Sequence, residues 1–304
     1  MDVLHNPPGL ESEYLASLNS VFPGWGDERK FHWFFQRTPA DLMLIKKDGQ
    51  TLAGSAVCYR RVRLPKGEVK VGIMTGSWTL PEARGQGCFG RIIAESVELT
   101  RRAGGALLLA FVTHDNASRR QLERAGSGMV PSSYLFATPE TPVPTGPALS
   151  PGQGPLLELL SQRYRGYNHF SYRDESELQA NFLARFEPTE LRQDADGLSV
   201  LEVKPDNVLL QLATHPSVLA GPLGFALSTG RRFFLYSTRP EVTERASSLG
   251  LACKEGFMTV LLADEERLRA ATGIQAPWED STHLARPDSP WYLGPWDVQS
   301  GDRT

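Results

Sequence analysis

The chain has 304 residues, 40% hydrophobic and 22% charged, a soluble globular composition with enough length for two separately cored domains. Its 32 Lys and Arg against 35 Asp and Glu give a formal charge of -3, so no general positive field gathers a phosphate backbone and nucleic acid is not an expected partner. No apolar run reaches the roughly 18–20 residues that span a bilayer, the opening MDVLHNPPGLESEY lacks the regions of a secretion signal, and Cys58, Cys88 and Cys253 are too scattered for a disulfide framework or a cysteine-rich metal site, so a cytoplasmic protein with free thiols, no membrane and no metal is expected.

In chain order, helical spacing around Tyr14, Leu15 and Leu18 precedes an aromatic patch of Phe31, Trp33, Phe34 and Phe35. Three strand-like runs follow, LMLIKK, LAGSAVCYRRVRL and VKVGIMTGSWTL, which the turns Asp48-Gly49 and Pro65-Lys66-Gly67 fold into antiparallel neighbours. After Leu80 comes the glycine stretch PEARGQGCFG. The spacing of Phe89, Ile92, Ile93 and Val97 then predicts a helix over about 90–103, stopped at Gly104. A buried strand ALLLAFV at 106–112 leads into DNASRRQLERAG, a helix that Asp115 caps and Gly126 closes.

Prolines and glycines replace apolar periodicity in ATPETPVPTGPALSPGQGP, residues 137–155. Beyond it the order repeats in weaker form: LSVLEV, a Pro205-Asp206-Asn207 turn, VLLQLA, the apolar segment PSVLAGPLGFAL, the strand FFLYS, the helix EVTERASSLG and the strand MTVLL. In this second copy THPSVLAG stands where the glycine loop stood, and a proline turn does not aim successive amides at one anion. The expected organisation is a first domain at 1–140, a linker at 141–155, a degenerate copy at 156–265 and a tail at 266–304. Trp278, Trp291 and Trp296 are expected to pin that tail to a domain.

Gly85-Gln86-Gly87-Cys88-Phe89-Gly90 spells G-x-G-x-x-G, and two readings fit the spelling. A dinucleotide fold requires a strand running directly into the first glycine, with an acid about 20 residues on. Here Pro81 and Glu82 interrupt the strand, Arg84 precedes Gly85, and antiparallel signals fill the first part of the chain; Asp115 would be the ribose-binding acid. The other reading requires only that glycines turn the backbone tightly, so that the N–H groups of 85–90 and the positive helix end surround a pyrophosphate. Coenzyme A carries one.

TLPEARGQGCFGRI resembles the acyl-CoA loop of the GCN5-related N-acetyltransferases, the GNAT family, whose signature is Gln/Arg-x-x-Gly-x-Gly/Ala. Arg84 and Gly87 match it, and Phe89 stands at the final small position, as in members with R-G-x-G-x-F-[ST]-x-L, where Gly90 takes the Ser/Thr place. The family's N-x-x-S-x-x-x-L/Y-x-x-x-G is answered by D-N-A-S-R-R-Q-L-E-R-A-G, with Asp115 where Asn is usual. The resemblance covers residues 1–140; the second half is similar to the family's tandem arrangement by order of elements.

What the resemblance implies is an α/β fold of α+β type, two tandem acyl-CoA N-acyltransferase-like domains, each a mixed, mostly antiparallel sheet flanked by helices. It implies direct acetyl transfer from acetyl-CoA to a primary amine, in a small molecule or a peptide, at a site comprising Trp78, Thr79, Leu80, Arg84, Gly85, Gln86, Gly87, Cys88, Phe89, Gly90, Asp115 and Asn116. A backbone N–H around Thr79 and Leu80 would stabilise the thioester oxygen, and Trp78 either lines the pantetheine channel or is a core aromatic. Leu122 falls at or beside the position of the family's acid tyrosine, which leaves Tyr134, Ser118 and His114 as candidate acids. Cys88 is either a reactive thiol or apolar filling, Glu82 is solvated, and Arg101, Arg102, Arg119 and Arg120 either meet the 3′-phosphate or form solvated helix faces. A non-catalytic acyl-CoA-binding or sensing protein and a Fem-type aminoacyl transferase are the alternatives, and an oligomer is left open.

Overall fold

A computed structural model describes residues 1–6 and 9–303. In chain order the elements are β1 (Asp2–His5), α1 (Leu10–Val21), α2 (Glu28–Phe35), β2 (Ala40–Lys47), β3 (Gln50–Arg63), β4 (Glu68–Thr79), α3 (Cys88–Arg102), β5 (Leu107–Thr113), α4 (Ala117–Arg124), β6 (Gly128–Ala137), β7 (Ser150–Pro151) and α5 (Leu156–Arg163). They continue with β8 (His169–Phe170), α6 (Glu175–Phe182), β9 (Thr189–Asp194), β10 (Gly197–Val203), β11 (Asn207–Ala213), α7 (Ala220–Ser228), β12 (Arg232–Ser237), α8 (Pro240–Ser248), β13 (Ala252–Leu262) and α9 (Glu265–Thr272). The described residues form two compact units, 1–129 with 259–293 and 130–258 with 294–303.

In the first unit the strands lie in the order β1-β2-β3-β4-β5, with the end of β13 beyond β5. The pairs β1/β2, β2/β3 and β3/β4 are antiparallel, and β4/β5 is parallel. The parallel pair requires a crossover, which α3 supplies. Successive strand residues face opposite sides, and β3 uses both: the Cys58 thiol reaches the Phe34 carbonyl on α2, while the Tyr59 hydroxyl reaches the Leu99 carbonyl on α3. One face is therefore covered by α1 and α2, in a cluster of Leu10, Tyr14, Leu18, Phe31, Phe35 and Trp78, and the other by α3. The aromatic patch 31–35 is thus helix α2, capped by Asp27, whose side chain accepts from the Lys30 N–H.

The second unit has the order β6-β12-β11-β10-β9-β7, again antiparallel except for one parallel pair, β11/β12, whose crossover is α7. Val200 and Leu212 join the α5/α6 cluster, and Leu201 and Leu210 join the cluster that contains α7 and α8. Each unit is thus a mixed, mostly antiparallel sheet flanked by helices, with the element order of the first repeated in the second. Residues 146–149 lie against α7, where a Cβ on Gly146 would stand 3.0 Å from Ala220. Trp291 and Trp296 are buried; the Trp291 indole donates to the Pro277 carbonyl at 2.9 Å and packs edge-on against Trp278. No described helix is long and apolar enough to cross a membrane.

Candidate functional site

Between β4 and β5 only three residue pairs form a ladder, Val71 with Leu107, Gly72 with Leu108 and Ile73 with Leu109. Both strands continue past the last pair, β4 to Thr79 and β5 to Thr113, with no further register between them. The cause lies on the other edge of β4. Its register with β3 jumps from Ala56↔Thr75 to Gly54↔Trp78, so β4 carries one residue more than β3 there, a bulge at Gly76–Ser77.

Gly76 adopts φ +54°, a backbone region other residues rarely enter, and a Cβ there would stand 3.2 Å from Phe35 Cζ. The buried Tyr14 hydroxyl donates to the Gly76 carbonyl at 3.0 Å. Burial raises the Tyr14 pKa well above the usual phenol range, so this donor stays protonated. The hydroxyls of Ser55 and Ser77 lie 2.7 Å apart across the bulge.

Past the bulge, the Leu80 N–H donates to the Leu52 carbonyl at 2.9 Å, toward β3. Thr79, paired with Ala53, therefore occupies a non-hydrogen-bonded position, and its N–H turns to the β5 side. Of the two amides expected to stabilise an oxygen, Leu80's is already used and Thr79's faces the gap. Trp78 points its ring the other way: it is 2% exposed, edge-on to Tyr14 at 5.8 Å, and sits where any Cβ on Gly54 would be 2.5 Å from its Cζ2.

The chain leaves β4 through a 3-10 turn, Pro81–Ala83, and enters α3 through the glycines. Gly85 and Gly87 adopt φ +80° and +81°, and a Cβ at 85, 87 or 90 would meet nothing within 4 Å. The first intrahelical bond of α3 is Arg91 N–H to Gly87 O at 3.2 Å, so the amides of Cys88, Phe89 and Gly90 precede the ladder, and no side chain caps the helix at Gly87. A helix of 15 residues directs about half a positive charge to that end. Arg84 is exposed and pairs with no carboxylate among the described residues, while Gln86 folds back to the Glu82 carbonyl at 3.0 Å. The start of α3 is therefore open, uncapped and positive, which are the features the pyrophosphate reading of this loop expects.

At the end of β5, on the same side of the sheet as the end of β4, lie His114, Asp115 and Asn116. The cap of α4 is Asn116, not Asp115: Asn116 Oδ1 accepts from the Ser118 N–H at 3.0 Å and its hydroxyl at 2.6 Å. Asp115 accepts instead from the Thr113 hydroxyl at 2.8 Å, one residue too early to reach the first helical amides. Leu122 is fully buried. Burial raises the Cys88 thiol, which is 2% exposed, so it is apolar filling and not a thiolate. Arg101 and Arg102 stand at the far end of α3, roughly 20 Å from the glycines, and both hold Glu98. Arg119 holds Glu123 and the His114 carbonyl. Tyr134 belongs to the second unit, half-buried against Tyr236 with its pKa raised by burial.

Residues 10–126 match the acetyltransferase (GNAT) family model. No curated protein sequence matches the chain significantly. Among solved structures, the chain is similar to a conserved protein of Enterococcus faecalis V583 described as a probable N-acyltransferase, at 14% identity over 98% of this chain and 82% of that one, with TM-score 0.60. It is similar to a GCN5-related N-acetyltransferase of Anabaena variabilis ATCC 29413, at 14% identity over 89% and 75%, TM-score 0.61. It is also similar to a tandem GNAT protein from the clavulanic acid biosynthesis pathway, at 12% identity over 86% and 99%, TM-score 0.57. At these identities the likeness shows the fold, and the tandem structure shares it over nearly its whole length. Residues 10–126 thus match the GNAT acetyltransferase family model, and the chain shares its fold with a tandem GNAT protein.

Proposed function

We propose that the chain is an N-acetyltransferase that takes acetyl-CoA at the first unit and passes the acetyl group to a primary amine, of a small molecule or a peptide. The observation that carries this is the cradle itself: three uncapped amides and two left-handed glycines at the start of α3, beside a strand opening into which Thr79 turns its N–H. When bound, acetyl-CoA supplies a thioester that an unprotonated amine attacks directly, forming the amide and releasing the thiol.

The chain's own residues have defined parts in this reading. The amides of 88–90 and the side chain of Arg84 hold the pyrophosphate. Gly85 and Gly87 let it approach the backbone, and the 113–116 turn borders the opening from β5. The Thr79 N–H donates to the oxygen on which charge grows, fixed in place by the bulge and by Tyr14. No acid is assigned, since a thiol with pKa near 8.5 leaves readily at neutral pH. Three free cysteines agree with a cytoplasmic location, where thiols stay reduced.

Thiol release from acetyl-CoA, measured against a panel of primary amines, tests the reading. Amine-dependent release that disappears in Gly87→Trp supports it. Tight acetyl-CoA binding with no turnover on any amine would favour an acyl-CoA sensor, to which the buried Leu122 at the family's tyrosine position points.

A further inference from the structure

The second unit has a strand opening of its own. β11 and β12 pair in parallel at Asn207↔Arg232, Val208↔Phe233 and Leu209↔Phe234, then run on to Ala213 and Ser237 without a ladder. β11 also carries one extra residue against β10, Gln211, where the register jumps from Leu201↔Leu210 to Val200↔Leu212. The Thr214 N–H donates to the Leu198 carbonyl at 2.9 Å, so Ala213 stands to β10 as Thr79 stands to β3, with its N–H turned toward the gap.

That gap is filled from within the chain. The Ala213 N–H donates to Gln299 Oε1 at 2.8 Å, and from the opposite strand the Tyr236 N–H donates to Ser300 Oγ at 2.8 Å. Ser237 bridges Gln299, the Thr238 N–H reaches the Val298 carbonyl at 3.3 Å, and the Val298 N–H returns to the Thr238 hydroxyl at 2.9 Å. Asp297, with no exposed surface, locks the segment: its carboxylate accepts from Arg163 Nε at 2.7 Å and Nη2 at 2.9 Å, and from Arg239 Nη1 at 3.1 Å. At the mouth, His215 hydrogen-bonds Ser217 at 2.6 Å in a turn without glycine.

We infer that residues 297–300 are an internal ligand of the second unit. They occupy the opening whose counterpart in the first unit receives the pantetheine arm, so each chain takes one acyl-CoA and not two. The inference rests on the function proposed above for that counterpart. A tethered segment acts at an effective concentration of order millimolar, enough to exclude a free ligand of micromolar affinity.

Amide hydrogen exchange on the full chain, with and without excess acetyl-CoA, tests this. The expected result is slow exchange at Ala213 and Tyr236 in the free protein and no change there on adding acetyl-CoA. In Gln299→Ala, exchange at Ala213 is expected to rise on the order of tenfold, as for loss of one buried hydrogen bond. Fast exchange at both amides in the free protein, or no effect of Gln299→Ala, would overturn the inference. So would acetyl-CoA protecting 209–214 and 234–238 while 294–303 loses protection, because the ligand would then displace the tail. Residues 79–91 report the first unit separately: if acetyl-CoA leaves them unchanged, the proposed function fails, and the free protein with Gln299→Ala still decides what fills the second opening.

Discussion

The hydroxyl of Tyr14, on the first helix, holds the carbonyl of Gly76, in the bulge of β4, at 3.0 Å. That bond joins the α1/α2 core to the point where β4 leaves β5, three residues before the Thr79 amide. Tyr14→Phe keeps the ring and its edge-on contacts with Phe35 and Trp78 but leaves a carbonyl without its donor. A stability loss of about 1–2 kcal/mol is expected from denaturant unfolding. In the proposed reaction kcat should fall roughly tenfold while KM for acetyl-CoA holds, because the displaced group acts on the reacting oxygen and not on the pyrophosphate.

Gly87→Trp places a large side chain at φ +81°, in the open space of the cradle. The backbone penalty is about 1–2 kcal/mol, small enough for the fold to survive, and acetyl-CoA affinity should drop by at least about 100-fold. Circular dichroism checks the first and calorimetry the second. A variant with native affinity would mean that the ligand lies elsewhere.

Gly54→Ala is expected to damage stability with no direct loss at the loop. The new Cβ would stand 2.5 Å from the Trp78 ring, whose position is fixed by Tyr14 and its neighbours. Overpacking of this kind costs about 1–3 kcal/mol, and urea unfolding should show it.

Stability should fall as pH rises above 9. Burial moves the Cys58 thiol from an ordinary value of 9.0 to about 12, so between those values the unfolded chain has lost a proton that the folded chain keeps. The unfolded state then binds fewer protons, and the slope of unfolding free energy with pH is negative. Cys58→Ala should flatten urea-unfolding midpoints measured from pH 8 to 10.5. An unchanged slope would mean that the thiol is not what titrates.

The glycine loop and the helix after it were legible because tight turns demand glycine and an amphipathic helix declares its period; α3 begins two residues earlier than its apolar spacing suggests, directly after its cap Gly87. The bulge was not legible. VKVGIMTGSWTL reads as one uninterrupted strand, and only Gly76 within it hinted at a backbone irregularity. Trp78 illustrates the same limit: its place at a strand end suited a channel wall and a core aromatic equally, and the bulge and Gly54 turn its ring into the core. Asp and Asn are near equals as caps, so composition alone gave Asp115 a role that Asn116 holds. The occupant of the second opening is set by residues some 85 positions from Ala213, a separation no local pattern reports.

Calorimetric titration of the whole chain with acetyl-CoA, and in parallel with NAD, tests the central claim most directly. The expected result is micromolar binding of acetyl-CoA at one site per chain, lost in Gly87→Trp, with no heat from NAD. Binding of NAD without acetyl-CoA would contradict it, as would acetyl-CoA binding that survives the blocked loop.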